Sequence, residues 1–189
     1  MANEDLQLRE EIVDVIINAL ELYTQCHAHT FAVMFTITYP TAFSHNGNKA
    51  IQVFMERFTK HLEWKGLDPF YLWVREQSTS HNPHYHCLVL LNGSKIQNRY
   101  GIMEEAKRLW GHIVACDPGG LVDYSWEPWR IRRSAPDFTA VLADCIFAVS
   151  YLAKTNTKGS APSRQRDFGN TNLRRFSGTL NRSKYENVN

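Results

Sequence analysis

Cysteine is scarce and scattered in this chain: among 189 residues there are four, Cys26, Cys87, Cys116 and Cys145, and no C-x-x-C pair. That spacing excludes a zinc knuckle and a disulfide framework, so the thiols are expected to be reduced and mostly buried. Long apolar runs are missing as well. The best candidate, Ile12 to Leu22, is interrupted by Asp14, Asn18 and Glu21, too short and too acidic for a membrane span or a signal peptide. The expectation is a cytoplasmic protein with no membrane partner. The chain has no internal repeat, no G-x-x-x-x-G-K-[ST] phosphate loop and no H-E-x-x-H pair, which excludes a solenoid, an in-chain helicase motor and the commonest zinc hydrolase site. With 10 Gly and 7 Pro in a chain that is 43% hydrophobic, disorder and collagen-like classes are excluded for its bulk. A chain of this length buries about 70% of its unfolded surface in one core, which suits a single domain.

Net charge is small, +2, but unevenly spread. From Lys158 onward seven basic residues face two acids, a local excess of +5 that leaves −3 on the rest. This stretch is rich in Ser, Asn, Gly and Thr, with Phe168, Phe176 and Tyr185 interspersed. It reads as unable to build a core, and as either a flexible tail or one that lies along a phosphate backbone. The organisation expected is therefore a folded unit over 1–158 and a basic segment over 159–189. A second basic cluster, Arg130, Arg132 and Arg133, follows Trp126 and Trp129. Those tryptophans either stack on bases beside phosphate-binding arginines or pack in the core.

Periodicity predicts helices over 6–23, 49–64 and 103–116, and a fourth capped near Ser134 that runs to about Lys154. Strands are predicted over 31–39, 71–77, 84–91 and 121–124, with a further one over 130–133. The two runs flanking residues 78–83 look like an antiparallel hairpin. This order implies an α+β fold, a central antiparallel sheet of about five strands with helices packed on it.

The densest chemistry lies in Arg75-Glu76-Gln77 and Pro83-His84-Tyr85-His86. Alternate side chains of a strand share a face, so His84 and His86 project together. A hairpin closing near 78–83 brings Glu76 opposite them. Two imidazoles and one carboxylate suit a divalent ion with open positions for a phosphate and water. An isolated H-x-H is more often a surface feature, and Glu76 on the paired strand is what favours the metal site. His81 stands close enough to be a substrate contact. The second element is Tyr151 with Lys154, placed on one helical face by their spacing. A phenol needs a nearby cation and a polarised phosphate to act as a nucleophile at neutral pH.

Together these segments resemble a known family. Pro-His-Tyr-His with its apolar continuation is similar to the His-hydrophobe-His motif of HUH endonucleases, and Phe35-Thr36-Ile37-Thr38-Tyr39 looks like the first Rep motif. Tyr151-x-x-Lys154, 65 residues after His86, matches the third in type and order. Glu76, eight positions before His84, matches the acidic ligand of single-tyrosine Rep proteins. More narrowly, VREQ, PHYH and YLAKTNTKG look like the filamentous-phage (inovirus) replication initiators and the prophage YagK/YfjJ-type proteins. The resemblance implies an HUH-type fold with an RRM/ferredoxin-like palm, and a nickase and strand transferase acting in a bacterial host cell on single-stranded or hairpin origin DNA. It implies Mg²⁺ or Mn²⁺ on His84, His86 and Glu76, attack by Tyr151 assisted by Lys154, and a 5′-phosphotyrosine link that frees a 3′-OH for rolling-circle synthesis. Arg75, Arg130, Arg132, Arg133, Lys158, Arg174 and Arg175 are the expected DNA contacts, and a host helicase and polymerase the expected partners. The alternatives are a non-catalytic DNA-binding module and a related single-tyrosine transposase.

Overall fold

The computed structural model describes residues 8–43, 47–77, 81–154 and 166–176. Helix α1, Glu10–Cys26, buries Ile12, Ile16, Ala19, Leu20 and Tyr23, the three- and four-residue spacing of one helical stripe. The chain then reverses into β1, His29–Ile37. Helix α2, Lys49–Trp64, buries Ile51, Phe54, Met55, Phe58 and Leu62. It stops at Gly66, whose φ of +69° lets the Leu67 amide turn back to donate to the Leu62 carbonyl. Strands β2, Phe70–Glu76, and β3, His84–Asn92, form the expected hairpin. Helix α3, Tyr100–Val114, two short strands, β4 (Val122–Asp123) and β5 (Trp129–Arg132), and helix α4, Phe138–Ser150, follow. A 3-10 turn, Tyr151–Ala153, extends α4, and β6, Phe168–Asn170, ends the order.

These elements make an α+β fold around one antiparallel sheet of order β4-β1-β3-β2-β6, with β5 pairing the other end of the β1 edge. Strand alternation divides the core in two. Phe31, Val33, Phe35 and Ile37 of β1 face α2 and α3 with Trp73, Tyr85, Cys87 and Val89. Ala32 and Met34 face α1 and α4 with Leu72, Val74, Leu88 and Leu90. Helices thus cover both faces of the sheet. No helix among the described residues is long and apolar enough to cross a membrane.

The expected boundary after residue 158 does not hold for residues 166–176. β6 pairs with β2 through Leu72↔Asn170 to Val74↔Phe168, and Phe176 is 2% exposed, edge-on to Tyr23 and Phe70. One aromatic in a polar stretch reaches a core that the rest of the chain builds. Glycine at 169 is required here, because a Cβ would come within 2.7 Å of the Trp73 indole. All four cysteines are free; Cys87 and Cys145 are buried, Cys26 half-buried and Cys116 exposed.

Candidate metal and nucleophile site

The hairpin register places Glu76 directly opposite His84 and Val74 opposite His86. Paired residues share a face, and Val74 belongs to the α1/α4 side. Glu76, His84 and His86 therefore lie on that side, at the end of the sheet where β1 and β2 finish and β3 begins. His86 is held from both sides: Nε2 is 2.6 Å from Glu76 Oε2, and Nδ1 is 3.1 Å from Thr36 Oγ1 on β1. The imidazole and carboxylate are each partly exposed, 30% and 24%, so solutes reach them.

Topology carries Tyr151 to the same end of the sheet. β5 runs toward the far end of the sheet, its pairs going from Ala32↔Trp129 to His29↔Arg132. Helix α4 returns along the same face and releases Tyr151 at the near end. The turn is pinned there: the Arg9 amide donates to the Ala153 carbonyl at 2.9 Å, and Leu8 bridges Lys154. Arg9 in turn bonds Asp167 at 2.7 Å. Lys154 lies just past the α-helix rather than on it, yet its Nζ stays 5.4 Å from the centre of the Tyr151 ring, since residues three apart nearly eclipse in a 3-10 turn.

Tyr151 is distinct among the tyrosines. Burial raises the phenols of Tyr23, Tyr39, Tyr71 and Tyr85 above their ordinary range. Tyr100 and Tyr124 belong to the α3 side, where they flank the Arg99 guanidinium. Tyr151 is 55% exposed and is the exposed tyrosine of the α1/α4 side among the described residues. Phe147, one turn earlier on α4, is 82% exposed, and the sequence reading passed over it as part of an apolar helix.

The remaining expected residues are dispersed. Arg75 is 3% exposed and, lying opposite Tyr85, points to the α2/α3 side, where its guanidinium donates to Gln77. It is not available as a DNA contact, because an odd register position sends it away from Glu76. Arg130, Arg132 and Arg133 lie at the far end of β1, about 17 to 26 Å along the strand from Thr36. Arg130 covers the Phe31 ring at 5.1 Å, and Arg133 donates to the last carbonyls of α1, Gln25 at 2.6 Å. Trp129 donates to Asp144 at 2.7 Å. Arg175 bonds Glu63 at 2.5 Å and Asp68 at 2.9 Å. Arg132 and Arg174 are exposed, His81 is exposed with its carbonyl accepting from Gln77, and Lys158 lies outside the described residues.

Two imidazoles and a carboxylate on one solvent-reached face are a donor set of the kind that divalent ions use. In the protein as described the His86–Glu76 bond is closed, and no group of three His, Cys, Asp or Glu side chains among the described residues is gathered tightly enough to hold a metal. The fit requires that bond to open, so that both atoms face one cation. His84, opposite Glu76 in register, would be the third donor.

Searches of curated proteins and of solved structures found no match to the chain. The family model of the YagK/YfjJ C-terminal domain matches residues 1–171. That match runs from α1 through β6 and takes in the His-Glu hairpin and the Tyr151 turn; the chain belongs to the YagK/YfjJ C-terminal domain family.

Proposed function

We propose that this protein is a metal-dependent, single-tyrosine HUH-type endonuclease that nicks and rejoins single-stranded origin DNA, with the inovirus replication initiators as its functional kin. The observation that carries the reading is the convergence of Tyr151 with His84, His86 and Glu76 on one face and at one end of the sheet, from three separate elements, β2, β3 and the turn that follows α4.

In this reading His84, His86 and Glu76 hold Mg²⁺ or Mn²⁺, which when bound polarises the scissile phosphate and offsets its developing charge. Tyr151 Oη attacks phosphorus, the bond to the 3′-oxygen breaks, and the phenolic proton ends on that leaving oxygen as a free 3′-OH. The 5′-phosphate remains on Tyr151. Lys154 supplies a positive charge beside the ring that favours the phenolate as it forms. The phosphodiester is conserved in the link, so a later 3′-OH can displace Tyr151 and reseal the strand. Unwinding and synthesis then fall to a host helicase and polymerase in the cytoplasm.

The test is incubation with labelled single-stranded origin-region DNA and Mn²⁺, resolved on a denaturing gel. A metal-dependent covalent band that disappears in Tyr151→Phe is the expected result; a band that survives the substitution moves the nucleophile elsewhere. One observation favours the competing reading of a DNA-binding module: His86 and Glu76 are already bonded to each other. DNA that is bound but never cleaved across candidate origins decides for it.

A further inference from the structure

His86 is gripped by a residue with no place in the chemistry above. Thr36 lies opposite His86 in the β1–β3 register, half-buried, with its hydroxyl 3.1 Å from Nδ1. The other ring nitrogen is 2.6 Å from Glu76 Oε2. A neutral imidazole carries one proton, and the two contacts compete for it.

With the proton on Nε2, the ring donates to Glu76, Nδ1 presents a lone pair, and the Thr36 hydroxyl must donate. With a cation at Nε2 the lone pair is needed there, the proton sits on Nδ1, and Thr36 must accept. A hydroxyl serves in both arrangements, because it is donor and acceptor at once. A carboxylate at position 36 would serve only the second, and an apolar side chain neither. We propose that Thr36 is a positioning residue that keeps Nδ1 of His86 hydrogen-bonded in either tautomer, turning from donor to acceptor as Nε2 leaves Glu76 for a divalent ion. The inference rests on the reading of His86 and Glu76 as metal ligands. It assigns to this threonine of β1 a role toward the metal rather than toward the sheet, whose ladder uses only its backbone.

The experiment compares wild type, Thr36→Val, Thr36→Ser and His86→Ala. Val keeps the β-branched shape that suits a strand, and Ser keeps the hydroxyl. Mn²⁺ affinity is measured by titration followed by electron paramagnetic resonance, and the His86 tautomer by long-range ¹H–¹⁵N correlation with Mg²⁺ bound. Losing an outer-shell partner of a ligating histidine costs about 10–100-fold in metal affinity. Thr36→Val is expected to bind Mn²⁺ at least about tenfold more weakly, and Thr36→Ser within about threefold of wild type. His86 of the Mg²⁺-loaded wild type should carry its proton on Nδ1, and Thr36→Val at the same Mg²⁺ concentration should show a mixture of loaded and unloaded rings. Wild-type affinity in Thr36→Val overturns the proposal, as does a loss in Thr36→Ser equal to that in Val, or a proton on Nε2 of loaded wild type. If wild type binds no Mn²⁺, or His86→Ala binds it unchanged, the metal reading itself fails and takes the inference with it.

Discussion

Two neighbours in the chain, Tyr85 and His86, face opposite sides of one sheet and meet opposite demands. The α2/α3 side is a packed aromatic interior: Phe54 lies 5.4 Å from Phe58, Trp110 5.1 Å from Tyr39 and 5.8 Å from Phe54, and Trp73 5.7 Å from Tyr85. Its polar groups are tied inward; the Tyr85 hydroxyl donates to Asn48 at 3.1 Å and the Trp110 indole to the Thr38 carbonyl at 2.7 Å. The α1/α4 side is aliphatic over much of its area, carries an aromatic group of Tyr23, Phe70 and Phe176, and gathers Thr36, His84, His86 and Glu76 at one solvent-reached end. One face is spent on stability and the other leaves a wet, titratable end. The period of two that puts side chains on alternate faces lets a single hairpin serve both.

The comparison is tested most severely by exchanging roles across it. Under the proposed function, His86→Ala should reduce metal-dependent cleavage by about 100-fold or more, since losing even an outer-shell partner of a ligand costs about 10–100-fold, and leave the melting temperature within a few degrees, since the ring is partly exposed. A melting point that collapses in His86→Ala would make this end structural. On the opposite face, Trp110→Ala should cost about 3–5 kcal/mol in chemical denaturation, because the indole is fully buried and hydrogen-bonded. A soluble Trp110→Ala with near-native stability would deny that this side is the fold's main store.

Phe176→Ala sharpens the assignment of residues 166–176 to the fold. The ring is 2% exposed against Tyr23 and Phe70, so the loss should be about 3 kcal/mol by urea denaturation; under about 1 kcal/mol, the stretch returns to being a tail. A smaller effect is expected from Asp68. Its carboxyl is held below the usual aspartate range by the hydrogen bond from His27 and by the Arg175 guanidinium, against desolvation. A depressed folded value stabilises above the unfolded pKa and is lost as pH falls through the lowered one. Asp68→Asn should therefore be less stable than wild type near neutrality and equal to it in strong acid, and an acid-unfolding comparison showing a pH-independent gap would refute the pairing. The smallest effect concerns thiols. Burial pushes the Cys145 thiol up to about 12 and raises Cys87 and Cys26 as well, while Cys116 is exposed. A disulfide reagent near pH 7.5 should modify Cys116 fastest and leave Cys145 untouched in the folded protein.

The helix over 49–64, the one expected over 103–116 and found over Tyr100–Val114, the β2–β3 hairpin and the pairing of Glu76 with the H-x-H strand were all legible from periodicity, because amphipathic spacing and alternation are local properties. Helix α4 was legible as a helix but not as the carrier of an exposed Phe147, since an apolar residue in an apolar segment does not say which side meets solvent. The arginines misled for a related reason. Charge counted along a chain ignores partners distant in it, such as Glu63 and Asp68 for Arg175 or the α1 carbonyls for Arg133.

By itself, then, the sequence determined the elements before β6, the α+β class and the residue types of the site, because each of these follows from spacing within a segment. The tertiary structure alone decided that Thr36 meets His86 across 50 positions, that Arg75 turns inward beside a Glu76 that turns outward, and that Phe176 closes a core. Those outcomes depend on which strands become neighbours and in what register, and a shift of one residue would reverse every one of the faces.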